Sequence, residues 1–471
     1  MIRSLVRSCV LASAALHAVA VAAQTPPSVP AVPPQPLTLD QAIQYATDHY
    51  PTVRAALEQI NLSLANVDVA RGAYLPRLDS LWQSNRATAN NVFGQVLPQS
   101  VIPAMSGPVL TSTSSQAVWG SATGALFSWE PFDFGLRQAG VAGAEASVAR
   151  ARAGETLTRL EVASAVAAAF LDVVAAQRAV AAVQADFDRR DVLRRAVQTL
   201  VENQLRPGAE ASRADAERAA SQTRLIQAQQ VVAIAQTTLS RVLGVPKGPL
   251  TIAADPLVAN APAAELPTTI ASTHPLAQVH QAAFEQARAQ EKILAKTDYP
   301  RVYLQSSVFA RGSGANADGV LDGGADGLTL DRANWAAGFQ VVFPNLFDFS
   351  TLRARKAAAA ASTRSESALY DESVLTVTGE QQGASAFLHA ARAVAANTPI
   401  QLAAAQQSES QARARYNAGL ASVIEVADAQ SLLAQAEVQD QVARVNVWRG
   451  LLAMATAQGD LTPFVALVRQ P

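Results

Sequence analysis

The chain has 471 residues, of which 49% are apolar and only 6% aromatic; alanine carries much of that apolar total, and such a composition favours long helices packed on small side chains. The formal charge is -1 with 16% charged residues, which excludes a basic surface for nucleic acid and leaves no acidic tail.

Arg3 and Arg7 precede an apolar run from Val10 to Ala20 that ends at Val21-Ala22-Ala23, the pattern of a cleaved secretory signal over residues 1–23. The single cysteine, Cys9, lies ahead of most of that run, so neither a lipid anchor nor a disulfide is expected in the mature chain. Residues 24–36 are proline-rich and read as an extended linker. No later stretch reads as apolar for the roughly 18 residues that a spanning helix needs.

The chain then repeats itself. A segment starting at Tyr50 and another at His274 share their prolines, Pro51 with Pro275 and Pro76 with Pro300, each pair 224 apart. Both segments read as helices opened by proline in the first turn and stopped by proline at the end. After the second proline the helical spacing gives way to alternation. From Asn334 to Phe343 the residues Trp335, Ala337, Phe339, Val341 and Phe343 fall on one face, and weaker strand signals cover Arg77 to Arg86, Gln116 to Trp129 and Val302 to Arg311. Four of the five tryptophans, Trp82, Trp119, Trp129 and Trp335, lie in these windows, as the aromatic girdle of a membrane barrel would require.

Polar, turn-rich connections separate the strands of each pair. The second contains Asp318, Asp322, Asp326 and Asp331, whose spacing fits neither an EF-hand nor a glycine-aspartate β-roll, so a solvated loop is expected. Two long helices follow, Leu136 to Asn203 and Phe349 to Asn417, the second expected to kink at Pro399. Returning helices run from about Ala209 to Leu243 and from about Ser422 to Ala457. Leu225, Ala228, Val232, Ala235, Leu239 and Val242 form a heptad seam in the first, and a shift of 213 carries it onto Val438, Gln441, Val445, Trp448, Leu452 and Ala455.

The fold class is therefore mainly α with a small β part, built from two tandem repeats: residues 37–244 and 266–460, joined by a linker at 245–265 and followed by a tail at 461–471. Each half supplies two strands, and four strands cannot close a barrel, while an open sheet edge is not viable in lipid. Closure requires several chains.

Reactive constellations are missing from the sequence. His17, His49, His274, His280 and His389 show no metal-ligand spacing, and there is no nucleophile elbow, phosphate loop or dinucleotide fingerprint. Asp191 with Arg195 and Arg213 with Glu217 read as solvated i,i+4 helix pairs. The expectation is a protein that is not an enzyme and holds no cofactor or metal.

The motifs "AYLPRL" at 73–78, "SWEPFDFGLR" at 128–137, "FPNLFDFSTLRAR" at 343–355 and "RYNAGLASVIEVADAQ" at 415–430, in this order and duplicated, resemble the TolC-like outer-membrane efflux factor family from about Leu37 to about Asp460. The resemblance implies a homotrimer in the outer membrane of a Gram-negative bacterium. Twelve strands would make its barrel and the long helices a coiled-coil tunnel in the periplasm. The implied partners are outer-membrane lipid, a periplasmic adaptor protein and an inner-membrane pump. On this reading the duct passes small toxic compounds or drugs; type I protein secretion is the alternative within transport, and a soluble periplasmic coiled-coil scaffold is the rival of another class.

Within that frame the repeated joint has a physical logic. Pro131 and Pro344 should end strand pairing. Phe132, Phe134, Phe347 and Phe349 suit the headgroup level, and Asp133 and Asp348 can accept hydrogen bonds from the free amides at the start of each helix. The periplasmic turns are implied to face the adaptor. In the second, Tyr416, Asn417, Gly419 and Leu420, followed by Glu425, keep the family pattern; in the first, Arg206-Pro207 before Gly208 departs from it. Simple helix capping, with Ser212 or Ser422 opening the next helix, competes with adaptor contact at both turns. Acidic rings narrow some tunnel entrances in the family, and Asp186, Asp188, Asp191 and Glu409 are the candidates here, with a solvated helix surface the competing reading for each.

Overall fold

The computed structural model describes residues 33–88, 97–102, 114–245, 250–254, 257, 265–316, 318, 320–321, 325–344 and 348–469. The signal reading, most of the proline-rich linker, Asp322 and Phe347 lie outside them.

Helix α1 (Leu39–His49) starts on a capping box in which Thr38 and Gln41 satisfy each other's backbone amides. Helices α2 (Pro51–Gly72) and α5 (Pro275–Ala295) each begin with proline in the first turn, as the repeat predicts. Strands β1 (Arg77–Thr88), β2 (Ala117–Phe132), β3 (Arg301–Ser313) and β4 (Arg332–Val342) form one antiparallel sheet in sequence order. Its edge strands, β1 and β4, have no further strand on their outer sides among the described residues.

From the sheet descend α3 (Leu136–Glu202) and α6 (Phe349–Asn417), of 67 and 69 residues, each about 100 Å long at 1.5 Å per residue. The second continues through Pro399 without a break in helical structure. Helices α4 (Gly208–Leu243) and α7 (Val423–Gln458), both of 36 residues, return along them. A final helix, α8 (Thr462–Arg469), occupies most of the segment expected to be a tail and buries Phe464 edge-to-face against Trp448.

The duplication has a slightly different register from the one read in the returning helices. Helices α4 and α7 end at Gly244 and Gly459, both in the left-handed conformation that glycine adopts without steric cost. That makes the offset 215, and Ala214, Ser221 and Leu225 then coincide with Ala429, Ala436 and Asp440, all buried. A shift of 213 also lands mostly on apolar residues because α7 is buried on more than one face.

The main core gathers where α1, α8, the middle of α3, the ends of α4 and α7 and the middle of α6 meet. One stretch of α3 is, contrary to expectation, long and apolar enough by composition to cross a bilayer. Its Val166, Phe170, Leu171 and Val173 are fully buried in this core, so the apolar run is a packing surface between helices.

Candidate functional site

The sheet has two unlike faces. Register places Trp82 opposite Thr123, Thr123 opposite Ala310, and Ala310 opposite Ala333, and alternation from there puts Leu78, Trp82, Trp129, Leu304, Val308, Trp335 and Phe339 on one side. On that side Trp82, Trp335 and Phe339 are 72%, 78% and 79% exposed. The other face carries Asp79, Gln83, Gln305, Arg311, Arg332 and Gln340, with Phe309, Ala122 and Leu81 packed on Ile102. A sheet greasy on one side and largely polar on the other suits lipid outside and water inside. The four tryptophans share the outer face but not one level. Trp129 pairs near the helical end, and Trp119 pairs with Arg86 ten residues further along β2. At about 3.3 Å per residue and a tilt near 45° this separates the two by roughly 25 Å, the height of a barrel's apolar band.

The two joints, alike in sequence, are built differently. The Asp133 carboxylate accepts from the Gly135 amide at 3.1 Å and from the Arg137 amide and Nε at 2.6 and 2.9 Å. Burial opposes its charge, but these hydrogen bonds outweigh that and hold its carboxyl below the ordinary value. Asp348 occupies the N-cap position of α6 with no side-chain hydrogen bond to the helix, so the expected cap forms in the first copy alone. Pro131 does not end its strand either. The register shifts between Trp129 and Phe132, and pairing resumes at Phe132 opposite Val302, so proline is absorbed in a bulge. Pro344 lies two residues past the end of β4. Phe132, Phe134 and Phe349 are 58%, 48% and 70% exposed. Phe132 and Phe134 meet edge-to-face, with Tyr299 beside Phe134, an aromatic cluster below the apolar band.

At the far end of the helices the two turns touch. Tyr416 is buried, its hydroxyl donates to Glu210 at 3.3 Å, and the Arg206 guanidinium lies 5.0 Å from its ring centroid. Burial and the neighbouring Glu210 raise the Tyr416 hydroxyl above its ordinary pKa. Tyr416 is therefore packed against the first turn and not offered to a partner, and Arg206, a departure from the family pattern, supplies part of its socket. Asn417, Gly419, Leu420 and Glu425 are exposed at the tip. Gly419 has a φ of +77°, as its place at a helix stop predicts. The first turn uses Gln204 in the left-handed region, at φ 60°, while Gly208 is the first residue of α4. Ser212 lies inside α4 and Ser422, though at the N-cap of α7, makes no side-chain cap.

The candidate ring acids are mostly engaged within the chain. Asp186, 1% exposed, accepts from Arg190 and Arg224. Arg190 continues to Glu217 on α4 and to Ser431 on α7, each at 2.8 Å. Arg189 forks onto Glu437 of α7 at 3.0 and 2.7 Å. Asp191 binds Arg195 and Arg218, and their hydrogen bonds lower its pKa to about 2. Asp188 is exposed. Glu409 is buried with one oxygen lacking a partner among the described residues.

A part-barrel sheet with an apolar outer face, carried on two helical hairpins each about 100 Å long on its longer helix, defines the subunit of a membrane channel with a helical tunnel. The chain belongs to the outer membrane efflux protein family, whose model matches residues 42–245 and 266–459. It is 27% identical to protein CyaE of Bordetella pertussis over 435 residues, covering 90% of this chain and 84% of that one. Its fold is similar to the outer membrane protein VceC of Vibrio cholerae, with a TM-score of 0.71 at 18% identity over 90% of this chain and 96% of that one. It is also similar to the open state of the Neisseria gonorrhoeae MtrE outer membrane channel, at 0.70 and 18% over 90% and 89%.

Proposed function

We propose that three copies of this chain close a 12-stranded barrel in the outer membrane and continue it as a periplasmic tunnel. The tunnel acts as the passive exit duct of a tripartite efflux system, receiving small toxic compounds from an inner-membrane pump through an adaptor at the helix turns. The observation that carries the reading is the four-stranded sheet, greasy outside, polar inside and open at both edges, which only further copies can close without stranding backbone groups in lipid. Exposed apolar residues of α4 and α6, among them Ile226, Ile234, Leu375 and Ile400, give those copies a surface to bury.

The test combines three measurements: detergent extraction of a trimer from outer membranes, single-channel recording, and susceptibility of a deletion strain to a panel of toxic compounds. Raised susceptibility supports efflux. Unchanged susceptibility with a polypeptide missing from the culture medium would transfer the duct to type I protein secretion. A protein found wholly in the soluble periplasm would return it to the scaffold class.

A further inference from the structure

The duplication pairs α3 with α6 and α4 with α7 at a constant offset: the left-handed tip residues Gln204 and Gly419 stand 215 apart, as do Gly244 and Gly459. Along the hairpins the helices lie in the order α4, α3, α7, α6. Helix α7 therefore uses two stripes. Leu433, Ala436 and Asp440 face Ala405 and Thr398 of α6, while Val445, Trp448 and Leu452 are buried in the core that holds Ala167, Leu171 and Val174 of α3. The positions 215 earlier on α4 are Gln230, Ala233 and Thr237, and those 215 later on α6 are Gln382, Ala386 and His389; all six are exposed. Both stripes continue at alternating spacings of three and four, through Thr223 and Ile226 on α4 and Ala393, Ala396 and Ile400 on α6, again all exposed. This is heptad spacing on the side of each helix away from its own hairpin partner. The packing of α7 on α3 thus has a duplicate surface that no described residue of the chain covers.

The register follows from the covered contact. Arg189 of α3 forks onto Glu437 of α7. These helices run antiparallel, so one turn towards the sheet sets Ala185 level with Gln441, and the duplicates of that pair are Ile400 and Ile226, 70% and 58% exposed. Two turns further, Ala393 stands level with Ala233. The open sheet edges fall on the same two sides. Strand β4 runs into α6, and β1 lies beyond β2, the strand that runs into α3, just as α4 lies beyond α3.

Resting on the trimeric channel reading above, we propose that a second copy of this chain covers these stripes: α4 of one subunit packs antiparallel on α6 of the next, with Ile226 against Ile400 and Ala233 against Ala393. The duplicates of Arg189 and Glu437 are Ala404 and Gln222. At this level the contact between subunits therefore carries no ion pair and is held by apolar burial, where the contact within a subunit carries a charge fork.

The experiment uses the full chain in outer membranes, treated with a short bismaleimide and run on denaturing gels. Cys9, within the expected signal, is the only native cysteine. Ile226→Cys with Ile400→Cys, and separately Ala233→Cys with Ala393→Cys, should each give a ladder that ends in a covalent trimer. Each single variant should stay monomeric, and so should Ile226→Cys with Gln382→Cys, which is out of level by about 27 Å at 1.5 Å per residue. The alanine pair changes little volume, so it tests the register even where loss of the isoleucines weakens assembly. Monomer from both matched pairs, with the native trimer intact before denaturation, would overturn the pairing and spare the channel. Equal crosslinking of the out-of-level pair would overturn the register, and capture of a different protein by the matched pairs would give the stripes another partner. A parent protein with no native trimer would sink the channel reading along with the proposal.

Discussion

The Tyr416 hydroxyl donates to the Glu210 carboxylate at 3.3 Å, joining two turns that lie 206 residues apart in the chain. Tyr416→Phe keeps the ring in its socket under Arg206 and removes that one bond, so the tip should lose about 1 kcal/mol. Tyr416→Ala empties a site packed by Val197, Ala214, Val423 and Val426 and should cost about 3 kcal/mol or more. Hydrogen exchange of the amides in residues 412–426 reads both, and equal protection in the two variants would show that the ring's packing contributes nothing.

Asp191 supplies a pH-dependent part of hairpin stability. Its folded-state pKa of about 2 lies below the ordinary 3.8, so the contribution is whole above 3.8 and is lost as pH falls through about 2. Arg218 on α4 is its strongest partner, which ties this charge to the α3–α4 contact. The difference in thermal unfolding between the parent and Asp191→Asn should be constant above 3.8 and shrink below it. A gap that persists at the acid end would assign the effect to packing.

The unequal joints predict unequal sensitivity. Asp133→Ala removes the bonds to the α3 start and leaves Arg137, whose side chain is only 10% exposed, without its anion; the loss should be about 2 to 4 kcal/mol. Asp348→Ala removes no cap and should change stability by less than about 0.5 kcal/mol. Heat dissociation of the trimer, followed on gels, compares the two directly.

On the sheet, Phe339→Asp puts a carboxylate on the lipid side at a cost of up to a few kcal/mol. Gly338→Asp points into the lumen, where an added Cβ meets no atom within 4 Å. Outer-membrane yield should fall for the first and hold for the second, and equal yields would reverse the faces.

Gly419→Val should leave the trimer intact and impair export. No atom lies within 4 Å of a Cβ at this position, so the strain is that of the backbone at φ +77° alone, about 1 to 3 kcal/mol. Site-specific crosslinking from Leu420 to the adaptor, beside compound susceptibility, checks this. Normal values of both would reduce Gly419 to a helix stop.

Much of this architecture was legible because it rests on local rules. Prolines at 51, 76, 275 and 300 delimit helices, and alternation from Asn334 to Phe343 marks a strand whatever its neighbours do. What was not legible depends on distant chain. Tyr416 reads as an exposed turn residue until Arg206 and Glu210 arrive from the other hairpin. Asp186 reads as a tunnel-entrance candidate and Asp191 as a solvated pair with Arg195 until α4 brings Arg224 and Arg218. Helix α8 did leave a signal in its own residues: Thr462-Pro463 ahead of Phe464, Val465 and Val468 is a helix start followed by an apolar face. Its brevity hid it.

The two copies keep different rulers. Pro76 and Pro300 stand 224 apart, but Asp133 and Asp348 stand 215 apart, and so do Gly244 and Gly459. The first copy is thus nine residues longer, all between its second proline and its joint. Its strand connection spans 28 positions, 89–116, against 18 for 314–331. Below the joint the paired helices cannot absorb an insertion, since one extra residue rotates every following side chain by about 100° around the axis and dismantles the seam. Above the strands a loop can lengthen at a cost that grows only with the logarithm of its length. The helical half of the molecule is thereby frozen in length and the connections beyond the strands are free to drift, so epitope tags and reporter peptides belong in 89–116 and nowhere along the hairpins.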